Sequence, residues 1–132
     1  MITAVFYLHG RRLQMLGIEM VEIKDLDKSE NFLKEIASDS EIEYVKKSSN
    51  ESLRNQRFGA LLCIKKAVFK ILDLGEDNDY KEVHLSHDLY GKPIVTLHGK
   101  ALERYNKLFS SKTIEVSLSH TQDLAVAVCL IM

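Results

Sequence analysis

The chain has two cysteines, one proline, six scattered glycines, no tryptophan and almost no net charge. Each shortage removes a class of protein. Cys63 and Cys129 are not closely spaced and lie in apolar surroundings, so they read as buried reduced thiols rather than a disulfide framework. Eighteen basic against nineteen acidic residues leave a formal charge of -1, and no overall field draws the molecule to nucleic acid or a membrane. The apolar runs, such as 5–8 and 124–131, are far too short to span a bilayer. His9, Arg11 and Arg12 break up the N-terminal apolar stretch, and no small-residue cleavage site follows it. A cytoplasmic protein is expected. Gly10, Gly17, Gly59, Gly75, Gly91 and Gly99 are too dispersed to form a phosphate loop, and no serine sits in a Gly-x-Ser-x-Gly elbow.

What remains is a chain of 132 residues, long enough for one domain over 1–132 with a core that needs no staples. Residues 2–8 and 13–23 read as strands flanking a turn at 9–12. The glycine at position 17 inside the second strand signals a bulge or a close backbone approach. A short amphipathic helix is expected over 30–37, with Phe32, Leu33 and Ile36 inward, and another turn or two over 40–46. The longest element is a helix over 51–74, capped by Ser49 or Asn50 and stopped by Gly75. Its apolar face comprises Phe58, Leu61, Leu62, Ile64, Ala67, Val68, Ile71 and Leu72, interrupted by Lys65, Lys66 and Lys70 at the margin of buried surface. Strands over 81–86 and 93–97 flank a turn in which Gly91 supplies an unusual φ and Pro93 fixes the strand entry. A helix over 99–109 and a final hairpin complete the chain. Without a regular βαβ rhythm, the class is α+β, an antiparallel sheet packed with a long helix.

The end of that hairpin carries the most suggestive chemistry. In Val116-Ser117-Leu118-Ser119-His120-Thr121 the apolar residues alternate with hydroxyls, and an imidazole lies at the strand end. A strand-end histidine has a structural reading as well as a catalytic one. An acidic strand (Glu19, Glu22), the lysine-bearing helix (Lys65, Lys66, Lys70) and His120 are expected to converge on one phosphate-handling pocket. Zinc is the alternative, with His84, His87, His98 and His120 as nitrogen donors. It suffers because His84 and His87 point to opposite faces of an extended segment.

Four segments, in order and spacing, resemble the holo-acyl-carrier-protein synthase group of 4'-phosphopantetheinyl transferases. They are Gly17-Ile18-Glu19-Met20-Val21-Glu22-Ile23, the helix from Phe58 to Leu72, the turn Gly91-Lys92-Pro93, and Ser117 to Thr121. The resemblance implies transfer of the phosphopantetheine arm of coenzyme A onto a serine of an acyl carrier protein, a step that feeds fatty acid biosynthesis. It also implies Mg²⁺ on the pyrophosphate and a homotrimer with sites between subunits. Lys70, His120 and Glu19 fall on catalytic positions. Lys66, Lys70, Lys92, Ser119 and His120 fall where coenzyme A would be held, and Glu19 where the metal would be.

Departures from the family pattern carry their own expectation. The family's metal-binding aspartate falls on Glu19, its metal-binding glutamate on Lys66 and its helix arginine on Leu61. A longer carboxylate suits strict octahedral geometry poorly, and a lysine beside a divalent ion is repelled by several kcal/mol. The resemblance with these changes predicts a weakened or absent metal site, with the Lys66 ammonium paired to Glu19 or Glu22 near the ion's place. It leaves open a noncatalytic homologue that binds coenzyme A or the carrier protein.

Overall fold

The computed structural model describes residues 15–132 and the short pairing of β1 (Tyr7–Leu8) with β2 (Arg11–Arg12). The rest of the strand expected over 2–8, the centre of the turn at 9–10 and the beginning of the strand over 13–23 lie outside the described residues.

The central sheet has three antiparallel strands in the order β3 (Met15–Glu22), β7 (Leu124–Ile131), β6 (Ile114–His120). Alternation sends Gly17, Glu19 and Val21 inward and leaves Leu16, Ile18 and Met20 exposed, about half their surface in water. Gly17 is not a bulge, because the β3–β7 register runs uninterrupted. It is a point of close approach: a Cβ there would lie 2.7 Å from Ile71 Cγ1 and 3.0 Å from the Ala67 carbonyl oxygen.

The helix that presses on Gly17 is α3 (Glu51–Ile71). Asn50 Oδ1 accepts the Leu53 N–H at 3.1 Å and caps its start. The expected stop at Gly75 moves upstream. Asp73 takes the left-handed turn (φ 54), its N–H bonds to Lys70 O, and the Leu74 N–H bonds to Phe69 O at 2.9 Å. This paired closure satisfies the terminal carbonyls before Gly75 is reached. The helix is buried nearly all round from Phe58 to Ile71, because the sheet covers one side and other elements cover the opposite one.

That opposite cover comes from α1 (Glu30–Ile36), α2 (Asp39–Lys46) and the hairpin of β4 (Val83–His87) with β5 (Pro93–Leu97). The turn or two expected over 40–46 is present as α2, starting one residue earlier, where Glu41 Oε1 accepts the Ser38 N–H at 2.8 Å and closes its first turn. The β4–β5 connection has Gly91 at φ 84 and Asp88 Oδ1 accepting from the N–H groups of Tyr90 and Lys92. A 3-10 turn over Tyr80–Glu82 replaces the start expected for the strand over 81–86. The remaining helix, α4 (Gly99–Phe109), links β5 to β6. The fold is therefore α+β, an antiparallel sheet on a long helix.

Candidate functional site

The groups expected to converge on one pocket are divided among three places. Lys65 belongs to none of the open ones. Its ammonium is fully buried, 2.9 Å from Glu41 Oε1, and donates to the carbonyls of Tyr80 (3.1 Å) and Val83 (2.7 Å). Glu41 Oε2 in turn accepts the Leu85 N–H. Burial holds the Lys65 ammonium below its ordinary pKa, with Glu41 opposing that shift. This cation is a structural bolt between α3, α2 and β4, not a phosphate ligand.

The C-terminal end of α3 carries the second group. Lys70 Nζ lies 3.7 Å from Glu19 Oε1 and donates to the Ile18 carbonyl at 3.3 Å. Lys66, one turn earlier, shares that helix face and is half-buried. The expected pairing of Lys66 with Glu19 or Glu22 is replaced: Glu19 faces Lys70, and Glu22 faces Lys24 at 3.7 Å. Among the described residues, Lys66 is in no ion pair within 4.0 Å. It lines a 560 Å³ cavity with Phe32 and Tyr80, which also carries Glu35, Glu76, Asp77 and Asp79. Between the groups lies Cys63, whose thiol burial pushes up to about 11, helped by the charge of Glu19 and opposed by that of Lys66. Its Sγ–H faces the Glu19 and Ala125 carbonyls, so it is an inert core thiol.

The third group is at the other end of α3. His120 Nδ1 is 2.8 Å from Gln56 Oε1. Gln56 and Lys70 are fourteen residues apart in the helix, about 21 Å along its axis. Within one chain His120 therefore does not share a pocket with Glu19 and Lys70. It borders a 290 Å³ cavity with Tyr44, Arg57, Leu61, His87 and Pro93. The Arg57 guanidinium lies over the Tyr44 ring at 4.7 Å, and His87 stacks on the same ring at 4.5 Å. Sequence reasoning missed Tyr44 and Arg57, and considered His87 only as a zinc donor. The available signal was Arg57 one turn before Leu61, on the same helix face.

Two further expected residues lie apart from both ends. Lys92 Nζ pairs with Glu115 Oε2 at 3.3 Å and ties the hairpin turn to β6. Ser119 is exposed opposite Val126, on the outer sheet face with Met20, while His120 turns to the other face. They do not line one cavity.

Residues 15–129 match the sequence profile of the 4'-phosphopantetheinyl transferase superfamily. The chain belongs to that superfamily. Similar proteins include the holo-[acyl-carrier-protein] synthase of Clostridium kluyveri, 34% identical over 117 residues, covering 85% of this chain and 84% of that protein. The synthase of Clostridium tetani is 31% identical over 116 residues, covering 86% and 89%. The fold is also that of the Helicobacter pylori holo-[acyl-carrier-protein] synthase solved with coenzyme A. That match has a TM-score of 0.72 at 23% identity, over 89% of this chain and all of that one.

A divalent ion fits this phosphopantetheinyl transferase chain poorly. Among the described residues no three His, Cys, Asp or Glu side chains gather where they could hold a metal, zinc included. Glu19, the expected ligand, already faces the Lys70 ammonium, and the next group on that helix face is a second ammonium. Two hard carboxylates are what magnesium would need here, and one is a cation.

Proposed function

We propose that this protein transfers 4'-phosphopantetheine from coenzyme A to a serine of an acyl carrier protein. The observation that carries this reading is the family match across 15–129, reinforced by relatives at 31% and 34% identity that are holo-[acyl-carrier-protein] synthases. In the reaction the carrier serine Oγ attacks the phosphorus that bears the pantetheine arm. Its bond to the bridging oxygen breaks, 3',5'-ADP leaves with that oxygen, and the serine proton passes to a base. Lys70 and Lys66 bind the pyrophosphate. Arg57, His87 and His120 supply positive or hydrogen-bonding groups to the nucleotide end, with Tyr44 as a flat apolar wall.

Because these two ends lie about 21 Å apart along α3, a complete site needs a second copy of the chain. The outer sheet face supports that assembly. Leu16, Ile18 and Met20 are about half exposed, and the outward residues of β7 (Leu124, Val126, Val128, Leu130) lie beside them. We take the assembly to be a homotrimer, each site joining the Lys70 end of one protomer to the His120 cavity of another. The free, buried Cys63 and Cys129 agree with a reducing cytoplasmic setting.

The second reading is a homologue that binds coenzyme A or the carrier protein without turning it over, favoured by Lys66 and by the Leu61 that lies in the His120 cavity. One experiment separates them. Incubating the protein with coenzyme A and an apo-carrier protein and weighing the carrier should show a gain of one phosphopantetheine. An unchanged carrier mass alongside measurable coenzyme A binding selects the second reading.

A further inference from the structure

We infer that Lys66 and Lys70 form a metal-independent diphosphate site, in which the second ammonium does the electrostatic work of a divalent ion. The inference rests on the coenzyme A reading above and specifies how its pyrophosphate is held.

The argument is one of charge. Two carboxylates, one lysine and a divalent cation together carry a single net positive charge. Glu19, Lys66 and Lys70 carry that same charge at neutral pH with no ion at all. The replacement keeps the net charge of this set of groups and removes the need to recruit a metal. Geometry agrees. Lys66 and Lys70 are four residues apart on one face of a continuous helix, a like-charge spacing that is unfavourable unless an anion sits between them. Glu19 relieves only Lys70, at 3.7 Å, and Lys66 is left half-buried without an ion pair among the described residues. The cavity that Lys66 also lines does not compete for phosphate, because it carries Glu35, Glu76, Asp77 and Asp79.

The exchange has a chemical limit as well. An ammonium is a compact charge with three donors. It neutralises diphosphate oxygens but does not arrange them octahedrally. Binding should therefore be magnesium-independent, whereas any turnover loses the orienting part of metal catalysis.

The test is isothermal titration of the full chain with coenzyme A, in EDTA and in MgCl₂, together with Mn²⁺ titration followed by electron paramagnetic resonance. Affinity for coenzyme A should agree within about twofold in the two buffers, and the free protein should leave the Mn²⁺ signal unbound. Lys66→Glu should weaken coenzyme A binding in EDTA by tenfold or more. Adding Glu19→Asp to it should create a Mn²⁺ site and make coenzyme A binding magnesium-dependent. A Mn²⁺ site in the unmodified protein, or a tenfold gain in coenzyme A affinity with magnesium, overturns the metal-independent site and leaves the coenzyme A reading standing. Failure to bind coenzyme A in either buffer overturns both. The wild-type arms decide the matter even where a variant does not fold.

Discussion

Two lysines of one helix, five residues apart and each paired with a glutamate from another element, have opposite lives. Lys65 and Glu41 meet at 2.9 Å with essentially no exposed side chain, and every remaining Lys65 proton finds a carbonyl. Lys70 and Glu19 stand 3.7 Å apart, with 62% and 28% of their side chains exposed. The buried pair has no freedom to greet a ligand. Breaking it strands a charge in the core. The exposed pair contributes little to folding, since solvent screens it and holding two long side chains in one geometry costs entropy. That weakness lets an incoming phosphate compete for Lys70. Position relative to water, not residue type, sorts structural lysine from binding lysine in this helix.

Substituting the two lysines in parallel is the strongest way to break the comparison. Lys65→Met leaves Glu41 buried without its cation, and a cost of about 3–5 kcal/mol is expected. Lys70→Met should cost less than about 1 kcal/mol, the scale of an exposed pair. Coenzyme A affinity should show the reverse order, falling for Lys70→Met and holding for whatever Lys65→Met protein remains folded. Urea unfolding of both variants, with titration of coenzyme A, checks this. Equal destabilisation of the two would mean that burial does not separate their roles.

A smaller effect is expected where the exposed pair is held in place. Lys70 reaches the Ile18 carbonyl because α3 presses on β3 at Gly17. In Gly17→Ala the new methyl meets Ile71 Cγ1 near the root of its side chain and the Ala67 carbonyl, neither of which swings aside cheaply. Overpacking of this kind costs about 1–3 kcal/mol. The helix end should lift from the strand, lowering the thermal midpoint and weakening coenzyme A binding together. A variant with wild-type melting and weakened binding would show that Gly17 serves the ligand rather than the packing.

Much of this was readable in advance. The apolar spacing of α3 announced a long helix with a broad apolar face, and the Gly91 and Pro93 turn chemistry announced the β4–β5 hairpin. Sequence reasoning groups Lys65, Lys66 and Lys70 together as cations at the margin of the buried face, although a signal that separates Lys65 is present. Leu61, Val68 and Leu72 continue a buried stripe straight through Lys65, whereas Lys70 is followed three residues later by Asp73. What local pattern could not supply was the partner, Glu41, twenty-four residues upstream on another helix. Nor could it reveal that Gln56 and Lys70 hold the two halves of the candidate site at opposite ends of one rod. The acidic strand, the lysines and His120 were expected to share one pocket. Helix length forbids it within a single chain.

The finest test concerns the rim of the buried seam. Glu41 and Tyr44 both lie on α2, and His87 ends the β4 strand whose Val83 and Leu85 backbone groups bond Lys65 and Glu41. The Tyr44–His87 stack closes that seam toward the cavity. Burial lowers the His87 pKa, the nearby Arg57 guanidinium lowers it further, and Asp88 works against both. The unfolded chain, near 6.5, therefore takes up the His87 proton before the folded one does. This contribution to stability is full above pH 6.5, declines as pH falls through 6.5 toward the lower folded value, and changes no further below it. His87→Phe keeps a ring against Tyr44 and removes the titration. Urea midpoints measured from pH 8 to pH 5 should fall more for the wild type than for the variant, with the other histidines cancelling in the difference. Parallel curves would mean that the seam tolerates a charge at its rim, and that the exclusion of water which distinguishes Lys65 from Lys70 begins deeper than Tyr44.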